Sequence, residues 1–174
     1  MRILPVFAAS LMACAALLFT SCDMGVEHTG DETGALYGNW ELDTKTVDIQ
    51  YTSGGKGENS HEETSFAGDH FYLGLTENRL AFAKEGSILS FDIDDLDAVT
   101  FSYNANQKRI SFDKALSLSK GILNPKVMLL IGTYDVKELT QGKLVLSKEE
   151  NVVIGEFNAQ QATVYSFHRV SSSQ

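Results

Sequence analysis

The chain has 174 residues, of which 43% are hydrophobic and 10% aromatic, enough for one globular domain with a substantial core. Its 14 Lys and Arg residues stand against 23 Asp and Glu residues, which gives a formal charge of -9. That charge repels a phosphate backbone and leaves no basic surface for nucleic acid, so we expect one acidic domain that does not bind nucleic acid.

Residues 1–21 have the layout of a bacterial secretion signal. Arg2 supplies a positive charge, residues 3–19 are almost wholly apolar, and two small residues precede Cys22. A permanent transmembrane helix needs about 20 apolar residues, and this run is interrupted by Pro5 and Ser10. We therefore predict that residues 1–21 are a signal peptide outside the fold.

Both cysteines of the chain, Cys14 and Cys22, lie in or next to this segment, so the sequence predicts a domain without a disulfide or a thiolate metal site. The stretch Phe19-Thr20-Ser21-Cys22 resembles the lipobox of bacterial lipoproteins, in which the cysteine is acylated and begins the mature chain. The alternative is a simple secretory signal with an incidental cysteine. We predict lipidation of Cys22, with several acyl chains, because one chain anchors a protein only marginally.

The next segment, residues 22–34, is polar, acidic and contains glycines, and it predicts a flexible tether before a folded domain of residues 35–174. Acidic residues directly behind a lipidated cysteine are similar to the export signals of surface lipoproteins in Bacteroidetes. We expect a lipid anchor in the outer membrane, with either the periplasmic or the outer surface as the location of the domain.

From Ala35 onward apolar residues alternate with polar ones, which is typical of strands with one buried face. The alternating apolar groups, in chain order, are Trp40-Leu42, Val47-Ile49-Tyr51, Phe71-Leu73-Leu75, Leu80-Phe82, Leu89-Phe91-Ile93, Val99-Phe101-Tyr103, Ile110-Phe112, Tyr134-Val136, Leu144-Leu146, Val152-Ile154 and Tyr165-Phe167. Turn residues separate these groups at short intervals. The pattern predicts about ten short antiparallel strands.

Three segments depart from this pattern. The polar stretch Thr52–Thr64 predicts a flexible loop, and Lys114–Lys120 fits either one helical turn or a strand. Val127–Ile131 is apolar at every position, which predicts a strand covered outside as well as inside, by a partner surface or a docked segment.

An antiparallel meander exposes its edges unless it closes, and closure into a barrel removes them. The fold class that we predict is therefore all-β, an antiparallel up-and-down β-barrel of about 8–10 strands. A barrel of this size is wide enough to hold one small ligand.

The first and last predicted strands carry residues that fit closure. Gly38 and Trp40 lie on the first strand and Arg169 on the last, so on closure the Arg guanidinium can stack on the Trp ring, a contact worth about 0.5 to 2 kcal/mol. The alternative is that Trp40 is an ordinary core residue and Arg169 a surface charge.

With the ending Tyr165–Val170 and the predicted hairpin Tyr134–Leu146, these residues resemble the calycin superfamily, in particular the lipocalin-like lipoproteins of Bacteroidetes. The resemblance implies a small apolar molecule in the barrel. The side chains that would line or fill the lumen are Phe71, Phe82, Phe91, Phe101, Tyr103, Phe112, Tyr165 and Phe167.

Other polar clusters give weaker signals. Asp92–Asp97 holds four carboxylates but lacks the Gly and distal Glu of an EF-hand loop, so a solvated turn is predicted rather than a cation site. His61 with its two neighbouring glutamates lies on the predicted loop, and His70 and His168 are predicted to face solvent. We predict no metal and no cofactor.

No thiol other than Cys22 is expected in the mature chain, and no Gly-x-Ser-x-Gly elbow occurs. We predict that the protein is not an enzyme. The sequence favours a lipid-anchored envelope protein that binds a small hydrophobic ligand in its barrel. The alternative is an interaction module whose barrel is filled by its own side chains and whose outer face or loops dock a protein or glycan.

Overall fold

The computed structural model describes residues 32–52, 58–86 and 98–171. These residues form one short helix and nine strands: α1 (Glu32–Leu36), β1 (Gly38–Tyr51), β2 (Ser60–Ser65), β3 (Phe71–Leu75), β4 (Leu80–Glu85), β5 (Ala98–Asn104), β6 (Arg109–Lys120), β7 (Lys126–Leu139), β8 (Lys143–Ile154) and β9 (Phe157–Val170). All strand pairs are antiparallel, and the strand order is β2-β1-β3-β4-β5-β6-β7-β8-β9 with an additional β1–β9 pairing. The sheet therefore closes on itself, which confirms the prediction of an all-β antiparallel fold, here barrel-like.

Strand β1 closes the sheet because both of its edges are paired. One edge pairs with β9 from Asn39 to Tyr51. On the other edge Gly38–Glu41 pair with β3 and Thr44–Ile49 pair with β2. Strands β2 and β3 thus follow each other along the same edge, and the ring has eight strand positions.

Strand β1 also joins two segments that the alternation predicts as separate strands. Trp40 and Leu42 are buried, and the register with β9 shifts between Leu42 and Thr44. Such a bulge adds one residue and reverses which alternate positions face inward, so Lys45 and Val47 lie on the same face as Trp40. The reversal breaks the period of two and hides the continuity of the strand.

The predicted loop Thr52–Thr64 is partly wrong, because Ser60–Ser65 form β2. Five of the six β2 residues are exposed, so no alternation marks this strand in the sequence. Its pairing with Thr44–Ile49 depends on the free edge of β1. Residues 53–57 of the predicted loop lie outside the described residues.

Strands β6 and β7 form a long hairpin that includes the ambiguous segment Lys114–Lys120 as strand. A register shift between Phe112 and Leu116, and a positive φ of 74° at Gly132, mark a bend across the hairpin. Beyond the bend, the β6–β7 hairpin reaches the connection between β2 and β3. There Lys126 Nζ donates to Ser65 O at 2.7 Å and to Asp69 Oδ2 at 2.5 Å.

The predicted outer cover of Val127–Ile131 is not found within the described ranges. Met128 and Leu130 are fully buried, but Leu129 and Ile131 are 41% and 43% exposed. Among the described residues, only the inner face of this stretch is covered.

The core lies inside the ring. Leu36 of α1 joins buried residues of β1 and of β3 to β9 in one cluster. The strand predicted at Leu89–Ile93 falls outside the described residues.

Candidate functional site

Trp40 and Arg169 meet at the point where the ring closes. They are direct cross-strand partners on β1 and β9, and the guanidinium carbon of Arg169 lies 4.3 Å from the Trp40 ring centroid. Trp40 is fully buried, and its Nε1 donates to Leu36 O at 3.0 Å, so the ring also holds α1. The contact joins the first strand, the last strand and the helix.

The guanidinium also binds the backbone that leads into β1. Arg169 Nη1 donates to Tyr37 O at 2.7 Å, and Nη2 donates to Ala35 O. Gly38 has a φ of +140°, and a Cβ at this position would collide with Arg169 Nη1. Glycine is therefore required here for the close approach of the arginine. Burial lowers the pKa of Arg169 from its usual value.

Aromatic side chains from four strands occupy the interior. Phe101, Phe112, Tyr134, Tyr165 and Phe167 form a chain of ring contacts with successive centroid distances of 6.3, 6.1, 6.2 and 6.3 Å. All five are at most 3% exposed. These distances are typical of packed aromatic pairs, so the rings contact one another directly.

The other predicted lumen residues lie at different levels of the interior. Phe71 is fully buried and contacts Phe66 with ring centroids 5.1 Å apart, and Phe82 is 5% exposed. Tyr103 is half-buried and packs against the core, whereas Phe91 lies outside the described residues. At these positions the interior side chains pack against one another.

Tyr134 also points into the interior, although it is not among the predicted lumen residues. Its alternation with Val136 is the sequence pattern that indicates an inward position. Burial raises its pKa to about 12, and burial also raises the pKa of Tyr165. Both phenols therefore stay protonated well above neutral pH and act as hydrogen-bond donors.

The two hydroxyls bind the backbone of β7. Tyr165 Oη donates to Leu129 O at 2.9 Å and accepts from Leu129 N at 3.3 Å. Tyr134 Oη donates to Leu129 O at 3.2 Å and accepts from Ile131 N at 3.4 Å. No sequence pattern indicates these bonds, because they depend on how the β6–β7 hairpin bends over β9.

Four cavities lined by described residues open to the surface. One of about 470 Å³ lies where β7 and β8 separate and is lined by Arg109, Thr133, Asp135, Ser147, Lys148 and Glu149. A second of about 460 Å³ shares Arg109 and Asp135, whose Nε and Oδ1 are 2.9 Å apart. The Arg109 hydrogen bond lowers the pKa of Asp135.

The two remaining cavities are smaller. One of about 350 Å³ lies beside Arg79 and Asp113, and one of about 260 Å³ lies between β2 and the tip of the β6–β7 hairpin. Their linings mix charged and apolar groups, and neither provides a deep apolar pocket.

Three histidines pair with carboxylates on the outer surface. His61 Nδ1 lies 2.6 Å from Asp48 Oδ1. His70 Nδ1 lies 3.0 Å from Glu41 Oε1, and His168 Nδ1 lies 2.7 Å from Asp43 Oδ1. The His70 and His168 rings are about half exposed, at 54% and 45%. Within the part of the chain that the structure describes, no three His, Cys, Asp or Glu side chains are placed to hold a metal ion.

Cys22 and the Asp92–Asp97 turn lie outside the described residues, so their predicted roles remain predictions. No helix in the described ranges is long and apolar enough to span a membrane.

No protein-family model matches this chain, and no curated protein or solved structure is significantly similar to it. The lipocalin-like assignment therefore also remains a prediction.

Proposed function

We propose that the protein is a lipid-anchored module of the cell envelope whose side-chain-filled, barrel-like domain presents its outer surface to another envelope molecule. The chain of interior ring contacts from Phe101 to Phe167 carries this proposal. Pockets for small molecules typically enclose about 300 to 1,000 Å³. A ligand of that size would have to displace several of these rings.

The outer surface, unlike the interior, exposes apolar and charged groups that a partner can contact. Leu129 and Ile131 are 41% and 43% exposed, and Val153 is 70% exposed. The cavity of about 470 Å³ lies between β7 and β8, and the cavity of about 460 Å³ lies beside it between the β5–β6 turn and β7; both carry charged groups. Apolar and charged groups beside one another are typical of an interaction surface.

The lipidation of Cys22 belongs to the same proposal. Phe19-Thr20-Ser21-Cys22 resembles a lipobox, and an anchored domain stays within reach of other envelope components. The contact of Trp40 with Arg169 supports a lipocalin-like closure. A hydrophobic ligand in the interior is the competing function.

Native mass spectrometry of the full chain, purified in mild detergent, tests this function. We expect the mass of the polypeptide with its anchor and no further molecule. A stoichiometric apolar molecule that dissociates only on activation would contradict the proposal and establish the ligand-binding function.

Phe112→Ala provides a positive control, because it removes a ring from the middle of the aromatic chain and leaves a cavity. This variant should take up a small apolar probe such as benzene, whereas the unmodified chain should not. Equal uptake by both proteins would show that the interior already has room for a ligand.

A further inference from the structure

One edge of strand β8 is paired with a neighbouring strand along only part of its length. Strand β8 pairs with β9 from Lys143 to Ile154, along its whole length. Its pairing with β7 covers only Leu144–Ser147. From Lys148 onward no described strand pairs with the edge of β8 that faces away from β9.

The backbone groups at this edge follow from the hydrogen bonds to β9. Arg169 N donates to Gly142 O at 3.0 Å, and the register continues without a shift to Ile154 and Phe157. In an antiparallel pair, hydrogen-bonded positions alternate, so even-numbered β8 residues bind β9. Glu149, Asn151 and Val153 therefore direct their N–H and C=O groups toward the open edge.

The facing edge of β7 is partly occupied. The hydroxyls of Tyr134 and Tyr165 bind Leu129 N, Leu129 O and Ile131 N, which take the place of a neighbouring strand. For Glu149, Asn151 and Val153, the described part of the chain supplies no corresponding backbone partner. Among the described residues, these three β8 positions therefore form a run of backbone groups without a strand partner.

We propose that the β8 edge from Glu149 to Val153 accepts an extended segment of a partner protein as an added strand. Backbone N–H and C=O groups at a sheet edge are a ready template for β-strand addition. This proposal rests on the interaction function above and identifies the surface that carries it.

The side chains at the edge define the chemistry of the segment. Glu149 is exposed and has no ion-pair partner among the described residues, whereas Lys148 pairs with Glu150 at 2.8 Å. Val153 is 70% exposed. The segment therefore carries a basic residue opposite Glu149 and an apolar residue opposite Val153, four positions apart on one face.

A second copy of this chain fits the edge less well. Each copy has a formal charge of -9, so two copies repel each other, whereas a cationic segment is attracted. Pairing of two β8 edges about Asn151 would also place Glu149 opposite Val153 of the other copy and leave the carboxylate unpaired.

A threonine nonapeptide with valine at position three and lysine at position seven serves as the probe, because an antiparallel strand centred on Asn151 places position seven opposite Glu149 and position three opposite Val153. We expect it to bind the full chain and to slow amide hydrogen exchange at Glu149, Asn151 and Val153. Asn151→Pro removes one edge donor without removing a bond to β9, so the Kd should rise roughly tenfold. Asn151→Ala keeps the donor and should bind like the unmodified chain.

Glu149→Lys is a second test that leaves the backbone unchanged. It should weaken binding of the lysine peptide and strengthen binding of the same peptide with glutamate in place of lysine. Absence of binding, equal binding by the Pro and Ala variants, or a concentration-dependent dimer that protects these amides would overturn the proposal. A ligand-free interior with no peptide binding would remove only the strand-addition site, whereas a bound small molecule would remove the proposed function itself.

Discussion

Arg169 shows how one side chain can connect several parts of the fold. Its guanidinium stacks on Trp40 and donates to the carbonyls of Ala35 and Tyr37, so β9, β1 and α1 are held at one point. Gly38 makes the approach possible because a Cβ would occupy the position of the guanidinium. The interaction combines a cation–π contact with charge-assisted hydrogen bonds in a partly buried place.

Arg169→Met should lower the free energy of unfolding by about 2 to 4 kcal/mol, because it removes the cation and leaves two carbonyls without their donor. Urea denaturation followed by circular dichroism measures the change. Arg109→Met is the matched control: Arg109 is 55% exposed in its surface pair with Asp135, so its loss should cost less than about 1 kcal/mol. Equal losses in the two variants would contradict a special role for Arg169.

At the scale of elements, the β6–β7 hairpin determines where the ring is fully paired and where it opens. Its bend after Phe112 and at Gly132 takes the hairpin toward the β2–β3 connection, where Lys126 binds Ser65 and Asp69. The same bend separates β7 from β8 beyond Ser147. Two tyrosine hydroxyls then bind the β7 backbone at Leu129 and Ile131, and no described strand pairs with the β8 edge beyond Ser147.

Stability should fall as the pH rises from about 10 to about 12, because Tyr134 has a folded-state pKa of about 12 against an ordinary value of 10.0. In that window the unfolded chain loses the phenol proton while the folded chain keeps it, so ionisation favours the unfolded state. Urea midpoints measured from pH 9 to pH 12 should decline less steeply in Tyr134→Phe than in the unmodified chain. Identical slopes would show that Tyr134 does not contribute to the alkaline loss.

At the scale of the whole molecule, the proposed function lies at the outer surface of the closed sheet. Packed interior rings leave the outer face and the partly paired β8 edge as the features that the proposed partner would contact. The formal charge of -9 directs such contacts toward cationic groups.

Cys22→Ala should release the protein from the membrane fraction, because it removes the proposed acylation site. Cell fractionation followed by immunoblotting measures the distribution. Cys14→Ala is the matched control and should stay membrane-bound, since Cys14 lies within the predicted signal peptide. Continued membrane association of Cys22→Ala would be evidence against the lipid anchor.

The sequence by itself determined the all-β antiparallel class, because strands with one buried face keep a period of two wherever the register is regular. It also placed Trp40 and Arg169 at the two ends of the domain. It did not reveal β2, whose residues are mostly exposed, or the continuity of β1, whose bulge at Leu42–Thr44 reverses the alternation.

Only the tertiary structure decided how the interior and the edges are used. Whether aromatic side chains enclose a cavity or contact one another depends on strand curvature, which the residue types do not encode locally. The tyrosine bonds to Leu129 and the open edge at Glu149–Val153 both arise from the bend of a distant hairpin. Alternation reports which face of a strand is buried, whereas pairing along its edge is a long-range property of the closed sheet.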